Sequence, residues 1–477
     1  MLNTLELDAS MLTMRLRTER DKVAHLLRRF GLGASENELD YYAAGGYKKA
    51  VERLLNVESA DEGFGVDLEA FAINNPQGVA VVPMPGVKAW WTLRLMSTRR
   101  PLQEKLTLFW HDHFATSASK VTLPPFMFGQ NETLRQHALG NFGELLEAAS
   151  KDPAMLFWLD NQYNVKGKPN ENFAREVMEL FTLGIGHYSE DDVQEASRAF
   201  TGWNYGRGPN GPRFAFRRFQ HDTGEKSVLG KKGNLTGEDV LELLANHPQT
   251  ARYIATKLWE WFVYPDPEPA VVDRMATVFK ESKLSIKALV EAMMLSSEFL
   301  SDKAVWAIYK NPADFVMPLV RQLGLGEQTI GQFRSSGQAG LLARGPVRMT
   351  SEAMKGMGMD LLFPPDVNGW EGGQAWITSA TMVERIGFAD RLFGVAQNNR
   401  GQVRFNALFP FEENPTAKGV VDRLLSIFDA AIADDKKGAL ISAAEKAMEG
   451  RLTAQNANRT AAQVSRLIFG TPEFQFC

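Results

Sequence analysis

Apolar residues recur at three- and four-residue spacing along almost the whole chain, and this pattern confines it to packed helices. Val23, Leu26, Leu27 and Phe30 make one stripe, which Gly31 and Gly33 end. Ser35, with Glu38 three residues on, opens the next helix as a capping box. From Pro101, the residues Leu102, Leu106, Phe109 and His113 share a face, as do Phe142, Leu145, Leu146 and Ala149 further on. Asp152-Pro153 caps and opens another helix, Asn170 caps ENFAREVMELFTLG up to Gly184, and Ser189 with Asp192 opens DDVQEASRAF. Later helices are expected over 239–244, 251–262, 271–281, 286–295 and 312–323, with about three more beyond Gly419. The fold class is mainly α: a large multi-helical single chain.

One stretch departs from the pattern. Phe214, Phe216 and Phe219 nearly alternate, and Asp222-Thr223-Gly224 can turn the chain before Lys226, Val228 and Leu229. This predicts a small β-hairpin insertion at 206–233. The expected organisation is an N-terminal arm over 1–20, a helical core over 21–395 carrying that insertion, and a helical tail over 396–477. Segments 58–86 and 363–376 hold too much Gly and Pro for regular structure, and the two tryptophans of the second suggest that it is packed down.

Composition narrows the function classes. Of 477 residues, 44% are hydrophobic and 23% charged, so the chain can bury a large core. Its net charge of −4 offers no global attraction to nucleic acid, and no nucleic-acid partner is expected. Cys477 is the only cysteine, which excludes a disulfide framework, cysteine-held zinc, iron–sulfur clusters and c-type haem. No window approaches the roughly 18 apolar residues of a membrane span. The start, MLNTLELDASMLTMRLRTER, has no secretory apolar core, so a cytoplasmic location is expected. Nucleotide-loop, zincin and nucleophile-elbow motifs are all missing.

Several phrases carry a resemblance to a known family. They are HLLRRFGLGAS near His25, EKLTLFWHDHFATS at 104–117, DPAMLFWLDNQYN at 152–164 and KPNENFAREVMELFTLGIGHY at 168–188, followed by AFTGW, HDTGEK and FPPDVNGWEGG. In that order, and with the ending TPEFQ, they resemble the bacterial family called domain of unknown function 1800. The resemblance implies no chemistry. It does imply a protein partner, because members are often encoded beside a second uncharacterised, exported family.

Candidate chemistry rests on histidines and carboxylates. In WHDHF, His111 and His113 point about 200° apart on a helix, so His113 continues the apolar stripe while His111 lies on the other side or at a fraying end. Glu176 falls at the edge of the inner arc of its helix, with Glu179 one step nearer solvent; at i,i+3 the two can approach one cation. An inward carboxylate must be paired, metal-bound or protonated, and Arg135 or Arg198 is the expected structural partner. Asp160 ends a helix, and His221 is expected to project from the hairpin turn. The expected site is thus a divalent metal, Fe, Mn or Zn, held by His111, His113, Asp160 and Glu176, with Glu179 or His221 as general acid/base in a hydrolytic reaction. The alternative is a non-catalytic scaffold that binds a partner through the Trp370–Trp376 loop, its His/Glu set a buried polar network.

Overall fold

Side-chain caps decide where these helices begin. Thr18, Ser35, Ser189, Thr236 and Thr378 each close a capping box, while Asn141, Asp152, Asn170, Ser285 and Asn311 accept from the first-turn N–H groups. The chain, in a computed structural model, is described over residues 16–208, 211–337, 340, 344–394, 403–405 and 415–477. Ten helices come first: α1 (Glu19–Phe30), α2 (Glu36–Ala43), α3 (Tyr47–Leu55), α4 (Met84–Ser97), α5 (Pro101–His113), α6 (Pro124–His137), α7 (Phe142–Ser150), α8 (Pro153–Trp158), α9 (Glu171–Met178) and α10 (Glu190–Ala199). After the strands come α11 (Gly237–Ala245), α12 (Pro248–Phe262), α13 (Pro269–Glu281), α14 (Ile286–Met294), α15 (Pro312–Gln322), α16 (Leu325–Ser336), α17 (Pro346–Gly356) and α18 (Ser379–Phe393). Helices over Ala417–Ile427, Asp434–Met448 and Ala457–Gly470 complete the described fold. The fold is mainly α, as the periodicity requires. Most of the expected N-terminal arm (1–15) and the start of the expected tail (396–402) lie outside the described residues.

Strands occur in three separate antiparallel pairs among the described residues. β1 (Ile73–Asn74) with β2 (Ala80–Val81) lies in the first Gly/Pro-rich segment. The insertion holds two hairpins instead of the one expected: β3 (Trp203–Gly208) pairs with β4 (Gly211–Phe216), and β5 (Lys226–Val228) with β6 (Lys231–Gly233). The reason is cross-strand aromatic pairing. Trp203 stands opposite Phe216 and Tyr205 opposite Phe214, so the phenylalanine strand pairs backward in sequence. Asp222 does stabilise a turn, accepting from the Gly224 N–H at 2.8 Å, but that turn leads into β5 without pairing β4 to it.

The core is two apolar clusters with α5 between them. The first gathers α1, α3, α7 to α14 and one side of α5 through Leu102, Leu106, Phe109 and Trp110. The second gathers α4, α15 to α18 and the last helices, and takes Leu108 from the opposite side of α5. A helix covered on both sides must neutralise its charges internally. Glu104 is 1% exposed and accepts from Trp91 Nε1 at 3.1 Å and from the Arg135 guanidinium through two nitrogens, and it forms an ion pair with Arg94, whose Nε lies 3.1 Å away. Both arginines also stack on Trp90. Burial alone would push the Glu104 carboxyl up; the Arg135 and Arg94 charges overcome it and hold it below the ordinary carboxylate value. Lys105, 1% exposed, is paired with Asp314 of α15. No helix of the described residues is long and apolar enough to cross a membrane.

Candidate functional site

The last turn of α5 sends three consecutive side chains three ways. Because α5 runs between two clusters, residues 200° apart enter different cores. His113 enters the first: it lies among Phe109, Trp110, Phe114, Phe181 and Tyr253, and its Nε2 donates to the Phe181 carbonyl at 3.1 Å. A carbonyl only accepts, so the proton sits on Nε2 and Nδ1 keeps a buried lone pair without a partner among the described residues. Burial first, then the Lys257 charge, hold this imidazole neutral. His111 enters the second cluster, edge-to-face with Trp91 at 5.2 Å and 5.6 Å from Trp370. Burial pushes it down to about 3. His111 thus lies on the other side of α5 from His113, and that side is buried, which one apolar stripe could not reveal.

Between the two histidines, Asp112 is half-buried and points along neither core. Its Oδ1 accepts from the Trp370 N–H at 2.7 Å, and Oδ2 has no partner among the described residues. The 363–376 segment reaches it through a tight turn, in which Asp366 accepts from the N–H groups of Asn368 at 2.8 Å and Gly369 at 3.3 Å. Gly369 has φ +86°, and a β-carbon there would lie 2.6 Å from the Asp112 carbonyl oxygen, so only glycine lets the turn seat on α5. Burial raises the Asp112 carboxyl to about 6, against the Trp370 hydrogen bond and the Lys257 charge. Its position at the negative end of α5 acts in the same direction as burial.

The facing wall is α12. Gln249, Tyr253, Lys257 and Trp261 follow one another at four-residue spacing and so share a stripe. Gln249 Nε2 donates to the Leu183 carbonyl at 3.2 Å, Tyr253 OH to the Leu180 carbonyl at 3.0 Å, and Trp261 meets Phe109 edge-on at 5.4 Å. Lys257 lies over the Tyr253 ring, 5.6 Å from its centre, and makes no ion pair within 4 Å among the described residues. Burial lowers its ammonium pKa, and the Asp112 and Glu260 charges oppose that. The carbonyls capped by α12 and His113 belong to a π-helical turn, Glu179–Leu183, in which Thr182 Oγ1 donates to the Val177 carbonyl at 2.6 Å. Helix C-termini leave carbonyls unpaired, and here three side chains from two other helices satisfy them.

The remaining expected residues divide into two groups. Glu176 and Glu179 do come together: Glu176 is half-buried, its carboxyl raised by burial and then by the Glu179 charge, while Glu179 accepts from Tyr188 OH. Neither expected arginine pairs with Glu176. Arg135 is committed to Glu104 and Glu132, and Arg198 to Glu195 and Asp222. Glu176 has no ion pair among the described residues. Asp160 and His221 belong instead to the framework under the hairpins. Asp160, at φ 59°, pairs with Lys120 at 2.8 Å. His221 does not project: it is buried, its Nδ1 donating to the Thr201 carbonyl at 2.9 Å while Asp222 pairs with Arg198. Trp370 and Trp376 are both buried, so neither ring is presented to a partner. Among the described residues, no group of three or more His, Cys, Asp or Glu side chains could hold a metal ion.

Sequence reasoning passed over Asp112, Lys257 and Tyr253. Two signals pointed to them: an aspartate in a last helical turn, where a cation is favoured, and a polar and aromatic stripe on α12 beside its apolar face. A family model described as "Protein of unknown function (DUF1800)" matches residues 25–476. No curated protein and no solved structure matches the chain.

Proposed function

Since the chain belongs to the DUF1800 family, whose description assigns no activity, we propose from the site itself that it is an acid–base enzyme of the hydrolytic kind, centred on Asp112 and Lys257. The observation that carries this reading is a half-buried carboxyl raised to about 6, with one oxygen left open, near a half-buried ammonium that has no ion pair within 4 Å. Perturbed groups of opposite charge that do not quench each other suit a catalytic site better than a structural bridge. Asp112 takes a proton from a bound water as the water oxygen bonds to an acyl or phosphoryl centre. The Lys257 ammonium offsets the negative charge that develops there, and the proton on Asp112 then passes to the leaving group. His113 and Tyr253 are positioning residues, because their hydrogen bonds hold the π-turn and α12 in place.

A panel of nitrophenyl carboxylic and phosphoric esters tests this. Wild-type turnover is expected to rise with pH through about 6, the Asp112 value. Asp112→Asn is expected to cut kcat by about 10²–10⁴-fold and to remove that limb, at an unchanged melting temperature. Lys257→Met is expected to lower kcat and to move the limb to higher pH, because the Lys257 charge lowers the Asp112 carboxyl. Absence of turnover across the panel, or full activity in a folded Asp112→Asn, would sink the enzyme reading and favour the scaffold, in which His113 and His221 only brace carbonyls.

A metal-assisted variant has one supporting observation, the Glu176 carboxylate beside Glu179, raised by burial and then by that charge, and without an ion pair among the described residues. A divalent Fe, Mn or Zn ion there would rest on these two carboxylates and water, with no part for His111, Asp160 or His221. Elemental analysis of gel-filtered protein is then expected to find near-stoichiometric metal that disappears in Glu176→Ala. Metal-free protein after reconstitution would end this variant and leave the Asp112 reading intact.

A further inference from the structure

The region around the first hairpin has a charge pattern unlike the rest of the chain. Residues 161–170 and 203–220 contain no Asp or Glu. They carry Lys166, Lys168, Arg207, Arg213, Arg217 and Arg218, all exposed, in a protein whose net charge is −4. None of the six makes an ion pair among the described residues. The two segments form one surface: the Lys166 N–H donates to the Gln220 carbonyl at 2.7 Å, and the Arg217 N–H to the Gly202 carbonyl at 2.8 Å.

Aromatic rings accompany the cations. Phe219 sits on a 3₁₀ turn, Arg218–Gln220, and is 100% exposed; Tyr163 and Phe216 are exposed less completely. A phenylalanine held wholly in water, immediately after two arginines, gains when its ring leaves water and loses nothing that the fold uses. Single-stranded nucleic acid would need successive stacking platforms along a groove, whereas here only the Phe219 ring stands wholly in water and the cations spread around it. That arrangement fits a layer of anionic headgroups over an apolar interior, where basic side chains meet phosphates and an aromatic ring enters the interface.

We propose that the Tyr163–Lys168 loop and residues 203–208 and 211–220 form a docking surface for an anionic phospholipid bilayer, with Phe219 inserted and the six cations on the headgroups. Because the whole chain is anionic, the attraction is local and falls steeply with salt. The surface is independent of the Asp112 chemistry, so either reading can fail alone.

Vesicle co-sedimentation of the full chain tests it. Binding is expected to vesicles of phosphatidylglycerol and phosphatidylcholine, not to phosphatidylcholine alone, and to be lost in high salt. Arg217→Ala with Arg218→Ala is expected to weaken it roughly 10- to 30-fold, from about one kcal/mol per basic residue. Phe219→Ser is expected to weaken it roughly tenfold, from removal of the inserted ring. All three positions are exposed, so the melting temperature should not move. Failure to bind anionic vesicles, equal binding to neutral ones, or binding that survives both sets of substitutions would overturn the proposal. So would displacement by a single-stranded oligonucleotide at lower concentration than by lipid, which would assign the surface to nucleic acid.

Discussion

Gly369→Ala is expected to unseat the 363–376 segment from α5 and to cost the protein about 3 kcal/mol or more of stability. Three effects add. The φ of +86° is one that only glycine adopts without strain. The new methyl group meets the backbone carbonyl of Asp112 at 2.6 Å, and backbone in the last turn of a buried helix cannot yield. Moving the turn away then breaks the 2.7 Å hydrogen bond from Trp370 N–H to Asp112. Gly372→Ala is the matched control, because a β-carbon there has nothing within 4 Å and φ is −88°. Chemical denaturation followed by tryptophan fluorescence reads both variants. The substitution has a second signature. The Trp370 bond lowers the Asp112 pKa, so its loss should move any activity limb from about 6 to higher pH. A limb that stays in place, in a variant with normal stability, would show that the turn does not hold the carboxyl.

Glu104→Ala is expected to cost about 3–5 kcal/mol, the usual result of removing one partner from a buried charged network. Two arginines would remain on the Trp90 face with only Glu62 and Glu132 to answer them. Glu132→Ala, which removes a 42% exposed carboxylate at the rim of the same network, is expected to cost about 0–1 kcal/mol. The pH dependence follows from the direction of the shift. The folded Glu104 carboxyl lies below its ordinary value of 4.5, so its contribution is complete above 4.5 and is lost as pH falls through the folded value. Wild-type stability should therefore decline in acid below 4.5, and that part of the decline should be missing in Glu104→Ala. Equal acid sensitivity in the two proteins would mean that another carboxylate controls acid unfolding.

What the sequence disclosed follows from what local chemistry determines. Ser35 with Glu38, Ser189 with Asp192, and Asn170 are caps in the structure because their partners lie within a few residues. The inward face of α5, His113 included, could be read for the same reason. His111 could not, because its surroundings come from α4 and the 363–376 segment, neither of which is a sequence neighbour. The second buried side of α5 had one sign in the sequence, Leu108 lying off the main stripe. The hairpin partners were misassigned because the phenylalanine strand could pair forward or backward, and only the aromatic register with Trp203 and Tyr205 decides. Lys257 was invisible for a plainer reason. A lysine on an amphipathic helix looks solvated until the opposing aspartate is known.

The spacing along α12 has a mechanical consequence. Gln249, Tyr253, Lys257 and Trp261 stand about 6 Å apart along the axis; three of them meet a fixed counterpart, the Leu183 carbonyl, the Leu180 carbonyl and Phe109, and Lys257 carries its charge into the field of Asp112. The helix therefore fits its neighbours as a key fits its wards. A slide of one turn would misalign all three contacts together, and a smaller slide would satisfy none of them. Widening around Asp112 cannot come from that side. It must come from the wall that carries Trp370, which is held to the carboxylate by a single hydrogen bond and is seated on α5 by a turn built around one glycine.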